Sequence, residues 1–220
     1  MSGRASKLRL GVLISGRGSN LQCLIDACAD PTFPAEIALV LSNRPGALGL
    51  ERASKAGIAT DVIDHKAYDS REAFDAAVSA RLAEAEPGLI CLAGFMRLLT
   101  DGFVNQWHNK LINIHPSLLP SFKGAHAHRD ALAAGVRFSG CTVHYVRPEM
   151  DAGPIIAQAV VPVLEGDGEA DLAARVLEQE HRIYPLVVRL IAEGRVLIEG
   201  PKTRILDSSE TAGSLINPAA

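Results

Sequence analysis

Apolar and polar positions come in blocks along the first half of this chain, and block length separates strands from helices. LRLGVLIS (8–15) is a short, nearly continuous apolar run of the kind that a strand buried on both faces requires. NLQCLIDAC follows, with Leu21, Leu24, Ile25 and Cys28 at helical spacing, so the order is strand, loop, helix. EIALVLSN (36–43) predicts the next strand and ALGLERASKAG the next helix, closed by Gly57 just past its end. IATDVI (58–63) leads to a third helix from about Asp69. There Asp69 and Glu72 have capping-box spacing, and Phe74, Ala77, Val78, Leu82 and Ala85 form an apolar face. GLICLAG (88–94) and LINIH (111–115) are further apolar strands. The alternation predicts a mostly parallel sheet wrapped by helices, at least through residue 115.

The second half changes character. CTVHYV (141–146) and PIIAQAVVPV (154–163) read as strands joined by the turn-like RPEMDAG, a spacing typical of an antiparallel excursion. Helical periodicity returns from about Ala170 to Gly194, where Pro185 is expected to kink or divide the helix. The fold class predicted is α/β, a three-layer Rossmann-like fold whose central sheet is mostly parallel with an antiparallel or mixed C-terminal part. Residues 1–200 read as one domain with halves at 1–100 and 101–200. Residues 201–220, small and polar without aromatics, read as a flexible tail.

Composition narrows the partners. With 48% hydrophobic and 21% charged residues in 220, the chain builds a core without staples. A net charge of −3, with no basic block interleaved with aromatics, argues against nucleic acid. Cys23, Cys28, Cys91 and Cys141 are scattered without a C-x-x-C pair, which predicts reduced thiols and a cytoplasmic setting. The first apolar run is short and interrupted by Arg9, a core strand rather than a leader. No run approaches the ~18 apolar residues of a membrane span, so no membrane is expected as a partner.

Three stretches carry candidate chemistry. SGRGSN (15–20) lies between the first strand and first helix, where glycines let backbone amides approach an anion at a helix N-terminus. A dinucleotide fingerprint requires glycine where Leu21 stands and an acid where Ser42 and Asn43 stand. A Walker loop requires Gly-Lys-Ser/Thr. A phosphomonoester therefore fits best. The plainer reading makes Ser19 an N-cap with Gln22 completing a capping box, and both readings can hold together. In NIHP, Asn113 and His115 share one face of a strand that Pro116 ends, at the edge where open α/β sheets keep ligands. Asp151, in the turn EMDAGP, is a candidate partner, since a carboxylate beside an imidazole favours its protonated form; its plainer reading is an Asx-type turn. His126, His128 and Asp130 invite a metal, but an i, i+2 pair does not share a helix face and no second ligand cluster appears, so no metal is expected. His144 is ambiguous, His181 reads as a polar helix face, and His65 and His108 as loop residues.

SGRGSNLQ (15–22), LSN (41–43), GLERASKAGI (49–58), DSREAFD (69–75), LAGFMRLL (92–99), NIHPSLLPSFKGAHAH (113–128), CTVHYV (141–146), DAGPIIAQ (151–158) and EQEHRIYPLV (178–187), in that order over roughly 8–198, resemble the folate-dependent formyltransferases, and among them the glycinamide ribonucleotide formyltransferase family. The resemblance implies formyl transfer from 10-formyltetrahydrofolate, a co-substrate, to the amine of glycinamide ribonucleotide in purine synthesis. It implies Asn113, His115 and Asp151 as catalytic residues. Gly18, Ser19, Asn20 and Glu180 are implied to bind the ribonucleotide, and Arg71, Met96, Arg97, Leu98 and Leu99, with Asn113, the folate. Residues 1–100 then form the phosphate-binding half and 101–200 the folate and catalytic half. A homodimer is a candidate assembly. The nearest alternative is formyltetrahydrofolate deformylase, a hydrolase using the same three residues with water as acceptor.

Overall fold

The computed structural model describes residues 6–208, 213 and 215–218. Its first strand, β1 (Leu8–Ile14), is followed by α1 (Ser19–Ala29), β2 (Ala35–Ser42), α2 (Leu48–Lys55), β3 (Thr60–Val62), α3 (Arg71–Glu84), β4 (Leu89–Leu92), α4 (Asp101–Gln106) and β5 (Leu111–His115). After these come α5 (Ala127–Ala133), β6 (Phe138–Tyr145), β7 (Ile155–Pro162), α6 (Glu169–Ala192) and a two-stranded sheet of β8 (Val196–Glu199) and β9 (Lys202–Ile205). Seven strands form the main sheet in the order β3-β2-β1-β4-β5-β6-β7. Pairing is parallel from β3 through β5 and antiparallel for β5–β6 and β6–β7, the mixed sheet expected from the sequence. Strand order reverses between β1 and β4, which opens a crevice at their C-terminal ends.

Two apolar clusters lie on opposite faces of the sheet. One joins Val12, Ile14 and Cys91 to Leu21 and Leu24 of α1 and Val176, Tyr184 and Val188 of α6. The other joins Leu13, Leu41 and Ile90 to Phe74, Val78 and Leu82 of α3 and Phe103 of α4. Alternate residues of each parallel strand thus go to opposite layers, which is why those strands read as continuous apolar runs.

Four local expectations are corrected. The cap of α3 is Ser70, whose hydroxyl accepts from the Ala73 amide at 3.1 Å, rather than Asp69. Serine caps as well as aspartate, and one residue of slip decides between them. At α1 the cap is Gly18, not Ser19. Pro185 does not divide α6, which runs unbroken through it. The proline costs about 3 kcal/mol, but Ile183, Tyr184, Val187 and Val188 are buried on both sides of it, at about 1.5–3 kcal/mol each. Finally, 201–220 is not a tail from its start. β9 pairs with β8, Thr203 Oγ1 donates to the Ile155 carbonyl at 2.6 Å, and Asn217 Nδ2 donates to the carbonyls of Arg137 and Val163 at 2.7 and 2.9 Å. Two half-buried four-residue strands carry too little alternation to be read from sequence. Positions 209–212, 214 and 219–220 lie outside the described residues.

Candidate active site

β1 delivers the chain into Ser15–Gly18 at the crevice. Gly18 caps α1 at φ 70, ψ 36 with no side-chain cap, and the first turn holds no acidic residue. Gln22, instead of completing a box, donates to Asp26 at 2.8 Å and accepts from Arg52 at 3.1 Å. The first-turn amides are therefore left for a guest, and an anion suits them. Gly18 is also pressed against α2: a Cβ on it would lie 2.6 Å from Gly49 Cα.

On α6 the buried stripe Leu172, Val176, Glu180, Tyr184, Val188 repeats every fourth residue and places a carboxylate in the middle of an apolar face. Glu180 is 6% exposed, and Asn20 Nδ2 donates to it at 2.8 Å. Burial raises its pKa above the usual carboxylate range, and the Asn20 hydrogen bond opposes that rise. Asn20 and Glu180, 160 residues apart, thus meet beside the loop after β1, and Asn20 Oδ1 is buried without a hydrogen-bond partner among the described residues.

A second network links the loops after β1 and β4. Ser15 Oγ donates to Asn43 Oδ1 at 2.6 Å and accepts from the Met96 amide at 2.7 Å, while the Ser15 amide donates to the Gly94 carbonyl at 3.1 Å. Above this anchor Met96 and Leu98 are exposed, at 68% and 60%. Arg97 lies 6.0 Å over the Phe74 ring, and Leu99 packs on the core. Arg71, the first residue of α3, lines a cleft of about 610 Å³ with Asp75, Thr100 and Phe103, which Met96, Arg97, Leu98 and Leu99 do not line.

β5 stops at His115, before Pro116. Asn113 lies beside Leu92 of β4 on one side and His144 of β6 on the other; His115 lies beside Thr142. His115 is 5% exposed and held at both ring nitrogens: Nε2 donates to the Phe122 carbonyl at 2.9 Å, and Nδ1 lies 3.5 Å from Asp151 Oδ1, an ion-pair distance. The other Asp151 oxygen accepts from the Gly124 amide at 2.7 Å. Both partners sit in left-handed backbone, Phe122 at φ 52 and Asp151 at φ 47. Such conformations cost non-glycine residues about 1–3 kcal/mol each and cluster where a site must be held in one geometry.

Several residues that sequence reasoning missed frame this site. Thr142 Oγ1 donates to the Ser117 carbonyl at 2.7 Å and accepts from the Leu119 amide at 3.1 Å and Gln158 Nε2 at 3.0 Å, which fastens the loop after Pro116. His144, 2% exposed, faces Asn113 directly. Only the strand register reveals these pairs, and a backbone carbonyl such as that of Phe122 has no sequence signature. His126 and His128 sit at the start of α5, and among the described residues no group of three or more His, Cys, Asp or Glu side chains is arranged to hold a metal ion. Burial pushes Cys28 up to about 11 and Cys23 and Cys141 up to about 12, so no thiolate nucleophile is offered there.

Comparison with known proteins bears on this arrangement. The formyl transferase family model matches residues 8–188. The chain is 49% identical to phosphoribosylglycinamide formyltransferase of Escherichia coli K12 over 189 residues, 86% of this chain and 89% of that protein. It is 54% identical over 195 residues to the trifunctional purine biosynthetic protein adenosine-3 of Gallus gallus, which covers 89% of this chain but only 19% of that longer protein. The solved structure of glycinamide ribonucleotide transformylase 1 from Symbiobacterium toebii superposes with a TM-score of 0.91 at 51% identity, covering 94% of this chain and 98% of that one.

Proposed function

The chain belongs to the formyl transferase family, and from that premise we propose that it transfers the formyl group of 10-formyltetrahydrofolate to the amine of glycinamide ribonucleotide, a step of purine biosynthesis. The observation that carries the assignment of roles is the doubly held His115. Its Nε2–H is committed to a carbonyl, so a neutral ring would turn the Nδ1 lone pair on the Asp151 carboxylate; an imidazolium turns an N–H on it instead.

The amine of the ribonucleotide attacks the formyl carbon, the C=O π pair moves to oxygen, and a tetrahedral oxyanion forms. Asn113 donates an amide N–H to that oxygen, and the His115 cation, two residues along the same strand face, lowers its energy through the low-dielectric site. Asp151 orients His115 and relays the proton lost by the attacking amine toward N10 of the folate, which leaves with the C–N bonding pair. The first-turn amides of Ser19 and Asn20, with Gly18 leaving them uncapped, take the phosphate. Glu180 accepts from hydroxyl or amine groups of the ribonucleotide. Arg71 and Met96–Leu99 receive the folate, with exposed Met96 and Leu98 as its apolar wall. The hydrolase alternative is set aside, because the relatives are named for transfer. Four free cysteines support a cytoplasmic setting, and no helix of the described residues is long and apolar enough to cross a membrane.

Release of tetrahydrofolate from 10-formyltetrahydrofolate, measured with and without glycinamide ribonucleotide, tests the proposal. Release that requires the ribonucleotide and matches formylated product mole for mole is expected. Equal release without it would make the protein a hydrolase.

A further inference from the structure

His144 sits at a β-bulge: along β6–β7, Val143 pairs with Ala157 but His144 with Ile155, so one residue of β7 is skipped beside it. Bulges re-aim side chains and gather near active sites. The ring is buried on the sheet face that carries Asn113 and His115; the backbone of Ala152 is close enough to favour its charged form, against the larger opposing effect of burial, and two groups lie within hydrogen-bonding distance of its nitrogens. Nδ1 lies 2.9 Å from the Tyr145 carbonyl, which can only accept, so Nδ1 carries a proton. Nε2 lies 3.4 Å from Asn113 Nδ2. Burial disfavours the charged form of this ring, so Nε2 keeps its lone pair and accepts from the Asn113 amide. An asparagine amide has two N–H groups and can turn over by 180°, which would put its oxygen where an oxyanion must be received.

We propose that His144 is a positioning residue for formyl transfer: its Nε2 takes one of the two Asn113 amide protons, forbids the flipped amide and leaves the second N–H for the developing oxyanion. This rests on the oxyanion role of Asn113 proposed above. No atom of His144 need touch either substrate.

The test is a double-mutant cycle with full steady-state kinetics on the intact chain. Asn113→Ala alone tests the oxyanion role; unchanged turnover would remove that role and this inference with it. If Asn113→Ala loses turnover as expected, His144→Phe should lower kcat about 10- to 100-fold, less than outright loss of an oxyanion donor, with KM for both substrates within about twofold. The same change added to Asn113→Ala should cost nothing more, because the amide it positions is gone. His144→Gln, which keeps an acceptor, should recover most of the rate. Equal losses from His144→Phe with and without Asn113 would overturn the positioning role while leaving the Asn113 role standing. Nitrogen-15 NMR of histidine-labelled wild type needs no variant: at pH 7.5 the expected ring is protonated at Nδ1 alone, and a ring protonated at Nε2 would overturn the proposal.

Discussion

Replacing Gly18 by alanine separates three demands that the loop after β1 places on one residue. The first is conformational: at φ 70 an alanine pays about 1–2 kcal/mol. The second is steric. The new Cβ would lie 2.6 Å from Gly49 Cα, a backbone atom that cannot swing away, so α2 must move off α1 at an overpacking cost of about 1–3 kcal/mol. Together these give a loss of about 2–5 kcal/mol and, for a chain this long, a fall in Tm of roughly 5–15 °C. The third is functional, since displacing the start of α1 moves the amides proposed to take the phosphate; KM for glycinamide ribonucleotide should rise at least tenfold with kcat at saturation within about threefold. Two controls divide the terms. Gly46→Ala has the left-handed backbone (φ 72) but nothing within 4 Å, so it should show the conformational cost alone; Gly16→Ala has neither and should stay within about 0.5 kcal/mol. Thermal unfolding of the three variants, with KM for each, checks the reasoning. A Gly18→Ala protein that melts with Gly46→Ala would refute the steric argument, and one with an unaltered KM would refute the phosphate assignment.

Asp151→Asn should lower kcat by about 10²–10⁴ with both substrates still bound; a rise in KM with kcat intact would show Asp151 to be a binding residue instead. Glu180→Gln should raise Tm in the unliganded protein, since the native carboxyl is raised: the native state binds more protons than the unfolded one above pH 4.5, so ionisation at neutral pH opposes folding. The same variant should weaken ribonucleotide binding, and a lower Tm with unchanged KM would contradict both halves. His128, His144 and His181 are all lowered from 6.5 by burial, so the unfolded state binds more protons as pH falls through 6.5; their contribution is fully present above that value and is lost below it, down to their native values. Urea midpoints between pH 5 and 7.5 should therefore fall on acidification, less steeply in His144→Gln, and identical slopes would remove His144 from that account.

The parallel half of the fold was legible because each strand is buried on both faces and each connecting helix has a clean apolar stripe. Asn113 and His115 were legible for a related reason: two polar residues flanking Ile114 before a proline interrupt that apolar pattern where a strand must end. What stayed hidden depends on relations between distant segments. The choice of Gly18 over Ser19 as cap reflects the closeness of Gly49, 31 positions away. Glu180 could be placed on a helix, but its burial opposite Asn20 follows from how α6 crosses α1. Thr142, Gln158 and His144 became site residues only through the β5–β6–β7 register, which a bulge shifts by one residue. Continuity of α6 through Pro185 is likewise decided by the core beneath it.

The antiparallel turn after β5 explains how Asp151 reaches His115 at all. β6 runs back along β5, so the loop after Tyr145 leaves from the end of β5 opposite to the one where Pro116 departs: the Val146 amide donates to the Leu111 carbonyl at 2.9 Å. Two loops therefore start at opposite ends of the same strand pair and must fold over its polar face to meet. They do so at Gly124 and Asp151, joined at 2.7 Å, with Lys123 and Glu149 paired beside them at 3.1 Å. The second pair is largely exposed on its Glu149 side and contributes little. The first is a charge-assisted bond to a mostly buried carboxylate, and so carries the clasp. Reversing both loops in so short a span forces Phe122 and Asp151 into left-handed backbone. The strain at the two partners of His115 is thus the cost of bringing two arms together from opposite ends of a strand, and the Thr142 and Gln158 hydrogen bonds under the first arm hold it in place.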